Sequence, residues 1–143
     1  EQVAGDYEFV VIDCPPSLGL LTLNALAAAH SVLIPVQCEY YALKGLKNLL
    51  NVVKTIHSKL NRDLTVLGLL PTFVDQRTVL GKEMLAEMQG YADAPVFKTI
   101  IGSTVRLGEA PLTGKPITVY APVSDAADMY RELAAEVIAR GQA

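Results

Sequence analysis

Four apolar residues and an acid, Phe9-Val10-Val11-Ile12-Asp13, run directly into Cys14-Pro15-Pro16-Ser17. A carboxylate that ends a buried strand can hold a magnesium ion, often through water, which is the chemistry of a Walker B element. An acid in that place is as often an ordinary turn or helix-capping residue. The two prolines add weight to the ligand reading, because two fixed φ angles make a stiff loop directly after the acid. The partner such an aspartate needs is a G-x-x-x-x-G-K-[ST] loop, whose backbone amides cradle phosphates. The chain does not contain one. Gly81-Lys82 is followed by Glu83 and has Gln76 where the first glycine belongs, while Gly114-Lys115 is followed by Pro116 and Gly108 lies one position too far upstream.

Other reactive side chains carry less. His30 and His57 have no Cys, Asp or Glu at metal-ligand spacing and read as surface or helix-end residues. Cys14 reads as a small buried thiol rather than a nucleophile, since no cation stands nearby in sequence to activate it. Met84 and Met88 read as core filling.

The elements that must position Asp13 follow from apolar spacing. Glu8 to Asp13 is a near-continuous apolar run and reads as a parallel strand buried on both faces. Leu18 to Ala29 reads as a helix and Ser31 to Val36 as a second buried strand, together one βαβ unit. From Ala42 to Leu60 the residues Leu43, Leu46, Leu49, Leu50, Val53, Ile56 and Leu60 recur at steps of three and four, the stripe of an amphipathic helix. Leu64 to Leu70 predicts a third strand, and Thr78 to Tyr91 a helix with Leu80, Met84, Leu85 and Met88 inward. Val96 to Ile101 predicts a fourth strand and Ile117 to Tyr120 a short extended piece. Ser124 can cap a last helix that buries Met129, Leu133, Val137 and Ile138. Alternating strands and helices imply an α/β fold: one domain over residues 1–143, a parallel sheet with helices on both faces. In such a sheet chemistry sits at the carboxyl ends of the strands. That places it in Asp13 to Gly19, Gln37 to Ala42, Pro71 to Thr78 and Gly102 to Pro116.

Composition bounds the partners. The chain has 143 residues, 51% of them hydrophobic and 19% charged, as expected of a folded domain with a real core. A formal net charge of -3 gives no global basic field, so any nucleic-acid contact must come from a local patch. Two cysteines are too few for a disulfide framework and fit a reducing compartment, so a cytoplasmic setting is expected. No apolar run approaches the ~20 residues that span a bilayer, and the first residues lack the basic start and apolar centre of a signal peptide. They also lack a Met, so the chain is expected to begin inside a longer gene product.

Taken together, Tyr7 to Gly19, Pro35 to Leu43, Asp75-Gln76-Arg77-Thr78, and Val105 to Pro111 with Gly114-Lys115-Pro116 closely resemble the ParA (Soj-like) chromosome-partitioning ATPases. The resemblance runs in collinear order over almost the whole chain. It implies a P-loop NTPase-like fold of the ParA/MinD deviant Walker A type, of which this chain would be the carboxyl-terminal part. It further implies that ATP and Mg are the cofactors, that ATP drives a homodimer, that the dimer binds DNA without sequence preference, and that a ParB-type partner stimulates hydrolysis. By resemblance Asp13 is the magnesium-side acid, and Cys14, Pro15 and Pro16 form the switch loop. Glu39 lies near the dimer face, while Thr72, Asp75 and Pro122 are the nucleotide-binding candidates. The signature lysine, the phosphate-binding glycines and the acid that positions the attacking water lie upstream in the family, so no catalytic residue is expected here and the chain alone should be inactive.

Two stretches depart from the family pattern. Ile101-Gly102-Ser103-Thr104-Val105-Arg106 keeps one arginine where Soj-like relatives usually carry two, and Ala121-Pro122-Val123-Ser124-Asp125 lacks the arginines often found before the last helix. Both remove charge from the region the family uses for DNA, leaving Arg106, Lys98 and Lys115 as candidates there. Lys44, Lys47, Asn51 and Lys54 share the helical face opposite the leucines, with no acid from Ala42 to Arg62. Such a face is most often simply solvated, and phosphate contact through Lys44 and Lys47 is the alternative. The last helix mixes Arg131, Glu132, Glu136 and Arg140 with alanines, unlike a basic membrane-binding tail, so no membrane partner is expected. Two other functions remain open: a non-catalytic module that dimerises or binds a partner, and a ParA/MinD-type ATPase that positions another cargo.

Overall fold

A computed structural model describes residues 4–38, 40–75, 77–90 and 94–141, with residues 4 and 40–44 described by backbone alone. The elements are α1 (Leu20–Ala28), β1 (Ser31–Gln37), α2 (Tyr40–Lys59), β2 (Thr65–Thr72), α3 (Val79–Gln89), α4 (Val105–Glu109), α5 (Ile117–Tyr120) and α6 (Asp125–Gly141), with 3-10 turns at Ala4–Asp6 and Ala110–Thr113.

β1 and β2 pair in parallel, Ser31 opposite Thr65 and Gln37 opposite Thr72, with a register slip between Val32 and Leu33. Helices cover both faces of this pair. On one face Ile34, Val36 and Leu69 pack with Leu46 and Leu50 of α2 and Met84 and Met88 of α3. On the other, Leu70 and Phe97 pack with Met129, Leu133 and Val137 of α6, with Leu33 and Leu67 joining them. Leu26, Val53, Ile56 and Leu64 close the end where α1 meets α2. These four side chains and Leu46 and Leu50 are each under 6% exposed, as the three-and-four spacing of α2 requires.

Four expectations change. Residues 9–15 form no regular element and pair with no strand among the described residues, and Val10 and Val11 are 72% and 91% exposed. An apolar run becomes a strand only when another strand takes up its amides and carbonyls, and none lies beside it.

Val96 to Ile101 joins the sheet only through parallel bridges at Leu69–Val96 and Thr72–Ile101, so two extra residues bulge out between them. The cause is Pro71. Leu69 gives its amide to Pro95 O and takes that of Phe97 on its own oxygen, at 2.8 and 2.9 Å, and a regular ladder would next use a Pro71 amide that does not exist. Pro71 O instead accepts from Ile101 N at 3.0 Å.

Ile117 to Tyr120 is a helical turn, not an extended piece, because Val119 N and Tyr120 N both donate to Pro116 O and Ala121 N to Ile117 O, all at 2.9 Å. Leu80 and Ile138, expected inside, are 56% and 43% exposed. The Ser124 cap holds as read, its Oγ accepting from Ala127 N at 3.3 Å, and Thr78, expected as the first helical residue, caps α3 with its Oγ1 accepting from Gly81 N at 3.0 Å.

Candidate functional site

The loop after Asp13 is tied down at one point. The Thr22 hydroxyl, in the first turn of α1, donates to Ser17 O at 2.7 Å and lies 3.5 Å from Pro15 O. Thr22 is buried, so the two prolines are anchored to α1 from beneath while Asp13, Cys14, Pro15 and Pro16 stay exposed. Cys14 is therefore not the buried filler that the sequence suggested. Its thiol lies 3.8 Å from Ile12 O, whereas Cys38 is the buried one and burial pushes its pKa up. An open carboxylate at Asp13 suits Mg only as one shared oxygen, the others coming from water and phosphate, since Mg keeps several waters and few protein ligands. Among the described residues no cluster of three or more His, Cys, Asp or Glu offers a complete metal cage.

The carboxyl end of β2 is fixed by backbone hydrogen bonds. Thr72 O accepts from Cys38 N at 3.1 Å, and Phe73 N donates to Ile101 O at 2.8 Å, so the chain is held from both sides. Held this way, Phe73 adopts φ 56, a left-handed conformation that a bulky side chain takes only under constraint, with its ring 62% exposed. Sequence pattern gives no sign of it. Asp75 is engaged by Arg77: Nε and Nη2 of the guanidinium donate to its two oxygens at 2.9 Å each, and Arg77 N adds a bond at 3.0 Å. The Arg77 hydrogen bonds hold the Asp75 carboxyl down at about 2, and the same contact raises Arg77. Asp75 O also receives Thr78 N and Thr78 Oγ1, and a side chain at Gly81 would strike that carbonyl.

Pro122 is exposed, and its carbonyl accepts from Arg131 Nη2 at 2.8 Å while Arg131 Nη1 holds Asp128 at 2.7 Å. Thr72, Asp75 and Pro122 thus lie on two separately braced loops. Gly102 packs between the loop after β2 and α6, its amide meeting Met129 Sδ at 3.4 Å and Val74 O lying close by. Glu39 lies outside the described residues, as does the Lys44 side chain.

The DNA candidates do not form one patch. Arg106 lines a shallow cavity of about 280 Å³ with Thr104, Val123, Ser124 and Asp125 at the start of α6. Lys115 lines a neighbouring one of about 300 Å³ with Leu107, Ile117 and Tyr130. Lys98 lies level with Glu136, three turns further along α6, roughly 16 Å away along its axis. Glu109, three residues after Arg106, accepts from Tyr120 OH at 3.1 Å, which raises the tyrosine pKa.

One cluster was missed by sequence reasoning. Glu136 takes the amides of Lys98 and Thr99 and the Thr99 hydroxyl at 2.8–2.9 Å, and Arg140 bonds Glu136, Leu67 O and Val96 O. The only sequence signal was an acid and a base one helical turn apart.

Comparison with known proteins now bears on these loops. A family profile described as an AAA domain matches residues 1–66. The sporulation initiation inhibitor protein Soj of Bacillus subtilis is 53% identical over 99% of this chain and 56% of its own length. The chromosome partitioning protein ParA of Myxococcus xanthus is 47% identical over 96% of the chain and 49% of its own, and the chromosome-partitioning ATPase Soj of Thermus thermophilus 48% over 95% and 55%. The chain spans about half the length of these relatives. Among solved structures, cobyrinic acid a,c-diamide synthase from Mycobacterium smegmatis superposes with a TM-score of 0.74 at 37% identity, covering 92% of this chain and 46% of that one. A structure of that enzyme with bound ADP and magnesium gives a TM-score of 0.67 at 42% identity, over 72% of this chain and 42% of that one. No helix among the described residues is long and apolar enough to cross a membrane. Over the half-length that it spans, the chain is homologous to the Soj and ParA chromosome-partitioning proteins.

Proposed function

We propose that the chain works as part of an ATP-dependent partitioning switch that segregates a chromosome or plasmid in the cytoplasm, on the nucleoid. The observation that carries this reading is the 53% identity to Soj across 99% of the chain. In it, Asp13 holds Mg through water and Cys14-Pro15-Pro16, anchored by Thr22, forms the loop that senses the γ-phosphate. Thr72, Asp75 and Pro122 line the nucleoside, and Glu39 lies near the face where ATP joins two copies. Arg106, Lys98, Lys115, Lys44 and Lys47 are the cations available for non-specific DNA, and a ParB-type protein is the partner that stimulates hydrolysis. The ADP and magnesium held by the structural neighbour support the same ligand pair.

The test is made on the full-length protein. Mg-ATP, but not ADP, should convert monomer to dimer in sedimentation, and phosphate release should rise when DNA and the ParB-type protein are added together. Asp13→Ala should abolish release. If ATP leaves the protein monomeric and is not turned over with both present, the reading is wrong. The enzyme name on the structural neighbour gives a second reading, weaker because that identity is 37%. It predicts ATP-dependent amidation of cobyrinic acid, measurable by mass spectrometry.

A further inference from the structure

We infer that Thr22 is a positioning residue for the response to the terminal phosphate, its hydroxyl holding the loop after Asp13 where that phosphate can engage it; this rests on the proposed function and adds a residue to it. The device consists of a stiff arm, a pivot and a fixed support. The arm is Cys14 to Pro16. Two consecutive prolines fix their own φ angles and disfavour helical backbone at the residue before each, so this stretch moves as one piece. The pivot must then lie in Ser17 to Gly19, beside the start of α1. There Gly19 is extended, with φ -86 and ψ -176, and Leu23 N donates to its carbonyl at 3.0 Å.

The support is α1. Each residue from Gly5 to Leu21 is exposed, and Thr22, 8% exposed, is the first buried one after them. One turn further on, Leu26 packs with Val53, Ile56 and Leu64. Asn61 Nδ2 then donates to Leu26 O at 3.1 Å and to Ala29 O at 2.7 Å, which ties the far end of α1 to the residues after α2. The loop can therefore move while the helix beneath it stays in place.

A helical threonine can bond the carbonyl four residues back, which here would be Leu18 O. Thr22 reaches past it to Ser17 O at 2.7 Å, with Pro15 O at 3.5 Å. A hydroxyl has one proton to donate, so the two carbonyls compete for it. A small slide of the arm towards α1 passes that proton from Ser17 O to Pro15 O, which gives the loop two held positions on one donor. The consequence is for discrimination between nucleotides. A loop that is already held loses little conformational entropy when a terminal phosphate engages it, whereas a freed loop loses more. A diphosphate does not engage the loop, so its binding is indifferent to the latch.

The test uses the full-length protein with Mg and compares Thr22→Val, which keeps the shape and removes the hydroxyl, with Thr22→Ser, which keeps the hydroxyl and removes a methyl. Affinities for a non-hydrolysable ATP analogue and for ADP are measured by fluorescence titration. Thr22→Val should lower the ratio of analogue affinity to ADP affinity about fivefold, the contribution of one neutral hydrogen bond, while Thr22→Ser stays within about twofold of the parent. Packing alone would give the opposite order, because Ser leaves a void that Val fills. The exposed Cys14 thiol supplies a second readout. Its alkylation rate, followed by mass spectrometry of its own peptide, should differ between analogue and ADP in the parent and in Thr22→Ser, and be the same with both in Thr22→Val. If Thr22→Val does not fold, Thr22→Ala makes the same comparison. A variant without the hydroxyl that keeps the parent's ratio and the parent's Cys14 response refutes the latch and leaves the partitioning reading standing, as does a Thr22→Ser that falls as far as Thr22→Val. If the parent itself binds both nucleotides equally and its Cys14 responds to neither, the latch and the partitioning reading fail together.

Discussion

Glu136 and Arg140, one turn apart on α6, meet at 2.8 Å and together take the place of a missing stretch of β-ladder. Where Pro71 breaks the regular pairing, Thr99 N turns away from the sheet to the Glu136 carboxylate. Arg140 caps Leu67 O and Val96 O on the inner side, with its guanidinium 4.0 Å above the Phe97 ring. Gly68 leaves the room for this, since a Cβ there would sit 2.7 Å from both the guanidinium and the ring.

This pair is expected to hold α6 to the sheet. Burial opposes ionisation of Glu136, but the two amides, the Thr99 hydroxyl and Arg140 outweigh it and hold the carboxyl at about 2. The folded value is below the ordinary carboxylate value, so the stabilisation is fully present above about 4.5 and is lost as pH falls towards about 2. Glu136→Gln should cost roughly 1–3 kcal/mol at neutral pH and flatten the acid limb of a stability profile measured by urea unfolding. An unchanged acid limb would show that the pair contributes nothing to holding the helix.

Asp75 gives a second titration with a different consequence. Both its partners and its low value come from Arg77, and the pair stands in solvent. Arg77→Ala should therefore move the Asp75 carboxyl up towards its ordinary value of 3.8 in a carbon-13 NMR titration, with almost no change in global stability. Ligand binding gives the sharper expectation. If the Asp75 carboxylate contacts the ribose, it must share or release Arg77, so nucleotide should shift the Arg77 Nε resonance in the full-length protein.

How far the sequence alone reached can be judged element by element. The spacing of Leu46, Leu50, Val53 and Ile56 reports a 3.6-residue period directly, and the α2 core follows from it. The Ser124 cap was readable because a cap is a local hydrogen bond. What was not readable depends on partners distant in sequence. The Phe9–Asp13 run has the composition of a strand, yet strand formation is a property of a pair. The bulge after Val96 is written in Pro71, more than twenty residues earlier, and the Glu136 clamp spans nearly forty. At the candidate site the resemblance could name Asp13, Thr72, Asp75 and Pro122, but the left-handed Phe73 and the Arg77 fork arise from backbone geometry that no motif encodes.

ATP turnover should be absent from the chain by itself. An open carboxylate at Asp13 and the two loops proposed to face the nucleoside cannot replace the amide nest and lysine that neutralise a triphosphate. Phosphate release from the purified chain with Mg-ATP should equal a buffer blank. Release well above it, abolished by Asp13→Ala, would mean that some other segment of these residues cradles the phosphates.

The exposed apolar run gives the last expectation. Phe9, Val10, Val11 and Ile12 are 48%, 72%, 91% and 48% exposed and lie in no regular element, and β1 pairs with β2 alone among the described residues, leaving its other side open. An exposed apolar segment outside any ladder and an open strand edge are each a template for pairing with another chain, because unpaired amides and carbonyls recover their hydrogen bonds there. The chain by itself should therefore self-associate: its sedimentation should depend on concentration and its melt should broaden or shift with loading. Val11→Lys puts a charge at the most exposed position of the run and should reduce association without touching the buried core. Pro35 already lies in β1 and removes one donor from that strand, so the Phe9–Ile12 segment should be the stronger of the two drivers. A sharp, concentration-independent melt of a monomer, unchanged by Val11→Lys, would show that this segment finds a partner within its own chain in solution.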